Sequence, residues 1–111
     1  MKIKEGVSLV GLHIKMRKVI SVVEYLWNIY NKEAVITAGT EVVDDDLNFI
    51  HSVRSLHPFG LALDFRTRYF NKYQKKEIKT KLAELLGHNY DVILHSTHIH
   101  VEYDEEKTTI K

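Results

Sequence analysis

Ser55-Leu56-His57-Pro58-Phe59-Gly60-Leu61-Ala62-Leu63-Asp64, followed later by His95-Ser96-Thr97-His98-Ile99-His100, is the part of this chain that decides its fold. The first stretch sets an imidazole and a carboxylate seven residues apart across a Pro/Gly turn. On a straight strand they would stand roughly 23 Å apart on opposite faces. On a helix they would share a face but stay roughly 10 Å apart. Neither spacing lets both touch one small ion, so the chain must fold back, and Pro58 and Gly60 are where it can do so. Asp64 is then expected on a strand, with His57 on the loop before it and small Ala62 permitting close packing beside that strand.

The second stretch continues the pattern. In a strand, His98, His100 and Glu102 share one face while Ile99, Val101 and Tyr103 take the other. An imidazole from His98 or His100 would join His57 and Asp64 as a third ligand. Two neutral nitrogens and one oxygen, with a fourth position left for water, are the donor set of a catalytic zinc. The seven His of the chain are its compositional oddity, and there is no Cys. Disulfides and thiolate metal sites are therefore excluded, and any metal must be held by imidazole and carboxylate.

Around these stretches the sequence reads as α+β. Val19, Ile20, Val22, Val23, Leu26, Trp27, Ile29 and Tyr30 recur at three- and four-residue spacings, which predicts a helix over 14–30 with Trp27 in the core. Ala34 to Ala38 is a β-branched run ended by Gly39 and predicts a buried strand. Residues 40–58, with Asp44-Asp45-Asp46 inside them, show no period and read as a long loop. A strand over 61–65 follows, then a helix over 70–86 ended by Gly87. Strands over 90–94 and 98–103 are joined by a tight Ser96-Thr97 hairpin, and the charged tail from Asp104 is expected to fray.

With 111 residues and no linker or repeat, residues 1–111 are expected to form a single domain. Lys plus Arg number 16 against 15 Asp plus Glu, a net charge of +1, which argues against a nucleic-acid binder. Neither a signal segment nor an apolar run of membrane-spanning length is visible, so no membrane partner is expected and cytoplasmic synthesis is. A monomer is expected.

The two quoted stretches resemble the D-Ala-D-Ala metallopeptidase family, whose relatives include L-alanyl-D-glutamate endolysins, vancomycin-resistance dipeptidases, murein endopeptidases and the hedgehog signalling domain. The family pattern is Ser-x-His-x-x-Gly-x-Ala-x-Asp, then a strand with His-x-His or a carboxylate just before the last His. Ser55 to Asp64 matches every defined position of the first part, and His98-Ile99-His100 matches the second. The resemblance implies two main helices packed on a small antiparallel sheet that carries the site. It implies Zn2+ bound by His57, Asp64 and His100, with His98 beside the metal.

The resemblance also implies an activity, hydrolysis of a peptide bond next to a D-amino acid in peptidoglycan. Many relatives carry a Glu base three positions before the last ligand, where this chain has Thr97. The endopeptidase branch has a His five positions before it, which here is His95. His95 is therefore expected as general base, with Glu102 the alternative on the ligand face. His98, or an Arg beside the motif (Arg54 or Arg66), would stabilise the oxyanion or bind a substrate carboxylate, and Ser55 is grouped with these substrate-binding residues. A phage-type lysis enzyme, released to act on the cell wall, is the implied setting. The alternative is a catalytically inactive zinc-stabilised binding module of the same fold.

Overall fold

Strand alternation decides which side of the sheet is core and which is site. The computed structural model describes residues 1–42 and 55–104. Among them β1 (Lys2–Ile3), β2 (Val35–Ala38), β3 (Ala62–Arg66), β4 (Tyr90–Leu94) and β5 (His98–Tyr103) form one five-stranded sheet in the order β1-β2-β3-β5-β4. Leu63 and Phe65 of β3, and Ile99 and Val101 of β5, point to one face and are fully buried. Asp64 and Arg66, with His98, His100 and Glu102, take the opposite face and stay partly exposed.

The two helices cover the apolar face. Helix α1 (Met16–Ile29) buries Met16, Val19, Val23, Leu26 and Trp27, the three- and four-residue stripe expected of it. Trp27 packs on Phe65 and Phe70, and its indole N–H donates to the Tyr69 hydroxyl and the Arg66 carbonyl. Helix α2 (Lys72–Leu86) buries Ile78, Leu82 and Leu86. It starts two residues later than the predicted 70, because Asn71 and Gln74 form a capping box that satisfies the first free N–H groups. No helix among the described residues is long and apolar enough to cross a membrane.

The architecture is α+β with two helices on a small sheet, as expected, and the sheet is mixed rather than wholly antiparallel. The pairings β2–β3, β3–β5 and β4–β5 are antiparallel, whereas β1 runs parallel to β2. Two exposed residues give no period to read, so β1 has no sequence signature; its pairing with β2 makes it a strand. Strands β4 and β5 fall on the predicted residues, and β2 and β3 within one residue of them.

The fold-back between His57 and Asp64 is a single 3-10 turn, His57–Phe59, closed by Gly60 at φ 73°. There the Gly60 carbonyl accepts from the His13 N–H. A Cβ built on Gly60 would lie 2.3 Å from the Gly11 carbonyl oxygen. Both the left-handed φ and the close approach therefore require glycine. Of the predicted 40–58 loop, Thr40 and Glu41 hydrogen-bond back to the Ser8 region, and the Asp44–Asp46 run lies outside the described residues. Gly60→Ala is expected to destabilise the protein by about 2 kcal/mol or more, read as a shift in urea-unfolding midpoint. A change under about 0.5 kcal/mol, the range of an ordinary surface substitution, would contradict the tight packing of this turn.

Candidate metal centre

Asp64 and His100 are direct cross-strand partners on β3 and β5. That register brings His100 Nδ1 to 2.8 Å from Asp64 Oδ1. The 3-10 turn, carried back over the sheet, brings His57 Nε2 to 3.3 Å from the same oxygen. His57, Asp64 and His100 each offer a donor atom, and all three atoms lie within 4.8 Å of one another. Donors placed roughly 2.0–2.1 Å from a tetrahedral zinc stand roughly 3.3–3.4 Å apart, so the spacing suits one ion after a small adjustment.

The outward side of each ring is also fixed. His57 Nδ1 lies 3.0 Å from the Gly39 carbonyl oxygen, which can only accept, so that nitrogen donates there and Nε2 is the ring atom that faces Asp64. His100 Nε2 lies 2.7 Å from Glu102 Oε1, which leaves Nδ1 for the centre. Each imidazole thus sits between two acceptors. A cation between the rings and Asp64 satisfies both, and an N–H···O=C or N–H···carboxylate bond on the far nitrogen is the usual support of a metal-bound His. The donor set therefore fits a divalent metal, and two imidazoles with one carboxylate fit zinc chemistry.

The electrostatics agree. Burial by itself would push the Asp64 carboxyl up, but the hydrogen bonds and charge of His100 and His57 hold it well below the usual carboxylate range. Burial disfavours a charged His100 ring, yet its bonds to Asp64 and Glu102 outweigh this and raise its pKa. His98 is shifted the other way. Burial and the neighbouring His95, His100 and His57 outweigh the pull of Asp64, so the ring favours its neutral form.

His98 Nε2 lies 3.6 Å from Asp64 Oδ2, beside the three ligand atoms, and its Nδ1 meets the Thr97 hydroxyl at 3.1 Å. His95 stacks on His98 with ring centroids 4.6 Å apart, while its backbone N–H closes the hairpin to the His98 carbonyl. Ser55 turns its hydroxyl inward, accepting from the His57 N–H at 3.1 Å and so bracing the turn. Arg66 lines a cleft of about 330 Å³ next to Asp64 and His98, together with Lys4, Thr37, Arg68 and Thr97. Arg54 and His51 lie outside the described residues.

Two supports escaped the sequence reading. The Gly39 carbonyl belongs to the backbone and has no residue signature; a Cβ there would lie 2.1 Å from the Ser8 carbonyl oxygen, which explains the glycine. Glu102 was legible from its i+2 spacing to His100, but as an alternative base. In the structure its carboxylate is engaged in holding His100, a positioning role. No family model matches the sequence, and neither a curated protein nor a solved structure does.

Two outcomes are expected of purified protein. Asp64→Ala should lose tight binding of a divalent metal, since two imidazoles alone lack the charge-neutralising oxygen; equal metal in mutant and parent by elemental analysis would remove Asp64 from the ligand set. Affinity for a divalent metal should also rise with pH. His100 is raised, so its pairing stabilises the metal-free fold below the ordinary imidazole value of about 6.5 and is lost as pH rises through its own value. Asp64 is lowered, so its share is present above the ordinary carboxylate value and lost as pH falls through its own. A metal must displace the His100 proton, so affinity should climb up to about tenfold per pH unit between pH 5 and 7. Indicator competition measures this, and a flat profile would rule out His100 Nδ1 as the donor.

Proposed function

We propose that this chain is a zinc peptidase that hydrolyses a peptide bond adjacent to a D-amino acid in peptidoglycan. The observation that carries the reading is the convergence of His57 Nε2, Asp64 and His100 Nδ1, each ring held from behind by an acceptor. The order and spacing of Ser55–Asp64 and His98–His100 supply the resemblance to wall peptidases. A zinc ion held by these residues supplies Lewis acidity, polarising a carbonyl and making a nearby water acidic.

The remaining work falls to the protein. His95 is the proton acceptor in this reading, returning the proton to the leaving amine. His98, disposed to stay neutral and stacked on His95, lies between that ring and Asp64 and is suited to hydrogen-bond the reacting carbonyl group. Glu102 and the Gly39 carbonyl keep the two ligand rings in orientation. Arg66 reaches the adjoining cleft, where substrate would lie. Glycoside cleavage fits less well, since it usually wants two carboxylates flanking the bond, and here Glu102 is bound to His100 and Asp64 sits among imidazoles. A phage-type lysis role is the biological setting this reading favours.

One observation favours a second reading. Thr97, not a carboxylate, stands three positions before His100, and its hydroxyl meets His98. A zinc-stabilised binding module would need no base. Digestion of purified peptidoglycan with and without chelator, followed by mass spectrometry, separates the two. The peptidase reading expects new amines without reducing sugars, loss of activity with chelator and its return with zinc. His95→Ala should keep its zinc and slow turnover by about 10²-fold or more. Reducing ends or chelator-insensitive cleavage would refute the enzyme class, and zinc-loaded protein that cuts no wall peptide would leave the binding module.

A further inference from the structure

The charges of helix α2 are not spread evenly round it. Lys72, Lys75, Lys76 and Lys79 crowd its N-terminal half, although the whole chain carries a net charge of only +1. At about 100° per residue, Lys72, Lys76 and Lys79 fall within an arc of about 60° and make one row roughly 10 Å long. Ala83 continues the row with a small side chain. All three lysines are exposed, and among the described residues no carboxylate lies within ion-pair distance of them. Glu77, the nearest acidic position along the helix, is engaged by Lys81 at 4.0 Å and by the Tyr30 hydroxyl.

The row works against the helix that carries it. Lys72 and Lys76, like Lys75 and Lys79, are like charges at i and i+4, where they repel. Lys72 also opens the first turn, at the positive end of the macrodipole, and no acidic residue in that turn offsets it. Lys75 has a structural use, donating to the Ser96 carbonyl at 2.9 Å. That bond sets the row beside the β4–β5 turn, next to His95 and His98. Repulsion that folding does not require is relieved by an anionic partner.

The position of the row narrows the choice of partner. Ile78, Leu82 and Leu86 face the core, and the crest directly opposite them carries Tyr73, Thr80, Glu77 and Glu84. An anionic membrane laid on α2 would meet that crest, with its two carboxylates, while the lysines lie to one side. A flexible chain can follow the row itself. Bases of a single-stranded nucleic acid need aromatic platforms, and the row is Lys, Lys, Lys and Ala. Lysine ammonium groups suit phosphates as point charges, one to each.

We propose that Lys72, Lys76 and Lys79 form a docking rail for a linear polyol-phosphate polymer of the cell wall. The choice of a wall polymer rests on the peptidase reading; the need for a linear polyanion rests on the row. A polymer held there would keep the candidate centre beside the wall from one encounter with substrate to the next.

The test uses the full chain, metal-loaded and metal-free, and a lipid-free glycerol-phosphate polymer, with binding read by calorimetry. Both forms should bind, and log affinity should fall with log salt at a slope of about −2, the counterion release of three contacts. Lys72→Gln with Lys76→Gln and Lys79→Gln should weaken binding by about tenfold or more, at a urea midpoint no lower than the parent's. Lys72→Arg with Lys76→Arg and Lys79→Arg should keep the binding. Lys2→Gln with Lys15→Gln and Lys32→Gln removes the same charge at other exposed positions and should bind as the parent does. The rail is overturned if the polymer does not bind, if the two triple Gln variants lose affinity equally, or if the row variant unfolds early. It is overturned equally if anionic vesicles, or an oligonucleotide with as many phosphates, bind the row more tightly than the polymer. Cleavage of a soluble wall peptide without polymer binding would refute the rail alone. Polymer binding without cleavage of any wall peptide would keep the rail and refute the peptidase reading.

Discussion

The register between β3 and β5 is the constraint on which the site depends. It sets Asp64 directly opposite His100 and fixes which side chains reach the sheet's open face. The side-chain period of a strand is two, so a slip of one residue would send His98, His100 and Glu102 into the core and bring Ile99 and Val101 out. Leu63, Phe65, Ile99 and Val101 are fully buried under the helices, and that burial opposes any such slip. The apolar core thereby holds the ligand geometry without touching it.

A cluster of three imidazoles and two carboxylates is costly to hold away from water. Side-chain exposure falls to 4% at His57 and 15% at Asp64 and His100. Ion pairs in such surroundings repay their desolvation only with good geometry, and an apolar replacement is often as stable. The arrangement is better explained by what it can bind than by what it adds to folding. His57 and His100 each lie between two acceptors, an arrangement completed by a cation at Asp64. The left-handed turn at Gly60 carries the chain back so that His57 reaches Asp64.

Both helices lie on one face of the sheet and the candidate centre on the other, so neither helix covers the ligands. The cleft from His98 and Asp64 to Arg66, Arg68 and Lys4 runs along that open face. Its far end is built from the N-terminal strand, the part of the fold least visible in the sequence.

Much was legible in the sequence because it is written in short-range periods. The apolar stripe of α1, the alternation of β5 and the Gly/Pro fold-back before Asp64 each depend on neighbours within a few residues. They put the helices and four strands where the structure has them, and set His98 and His100 on one face; the choice of His57, Asp64 and His100 as the set came from the resemblance. What the sequence could not specify depends on distant segments meeting. The parallel pairing of β1, the Gly39 carbonyl behind His57 and the meeting of Lys4 with Arg66 and Arg68 are set by sheet order, which no local pattern encodes. Glu102 lay on the legible face, but only the tertiary geometry showed its carboxylate joined to His100. Sequence alone determined which residues are candidates for the site and which of them share a strand face. Tertiary structure decided which nitrogen of each ring faces the centre and which charges gather beside it, because hydrogen-bond direction and long-range charge placement exist only once the chain has closed on itself.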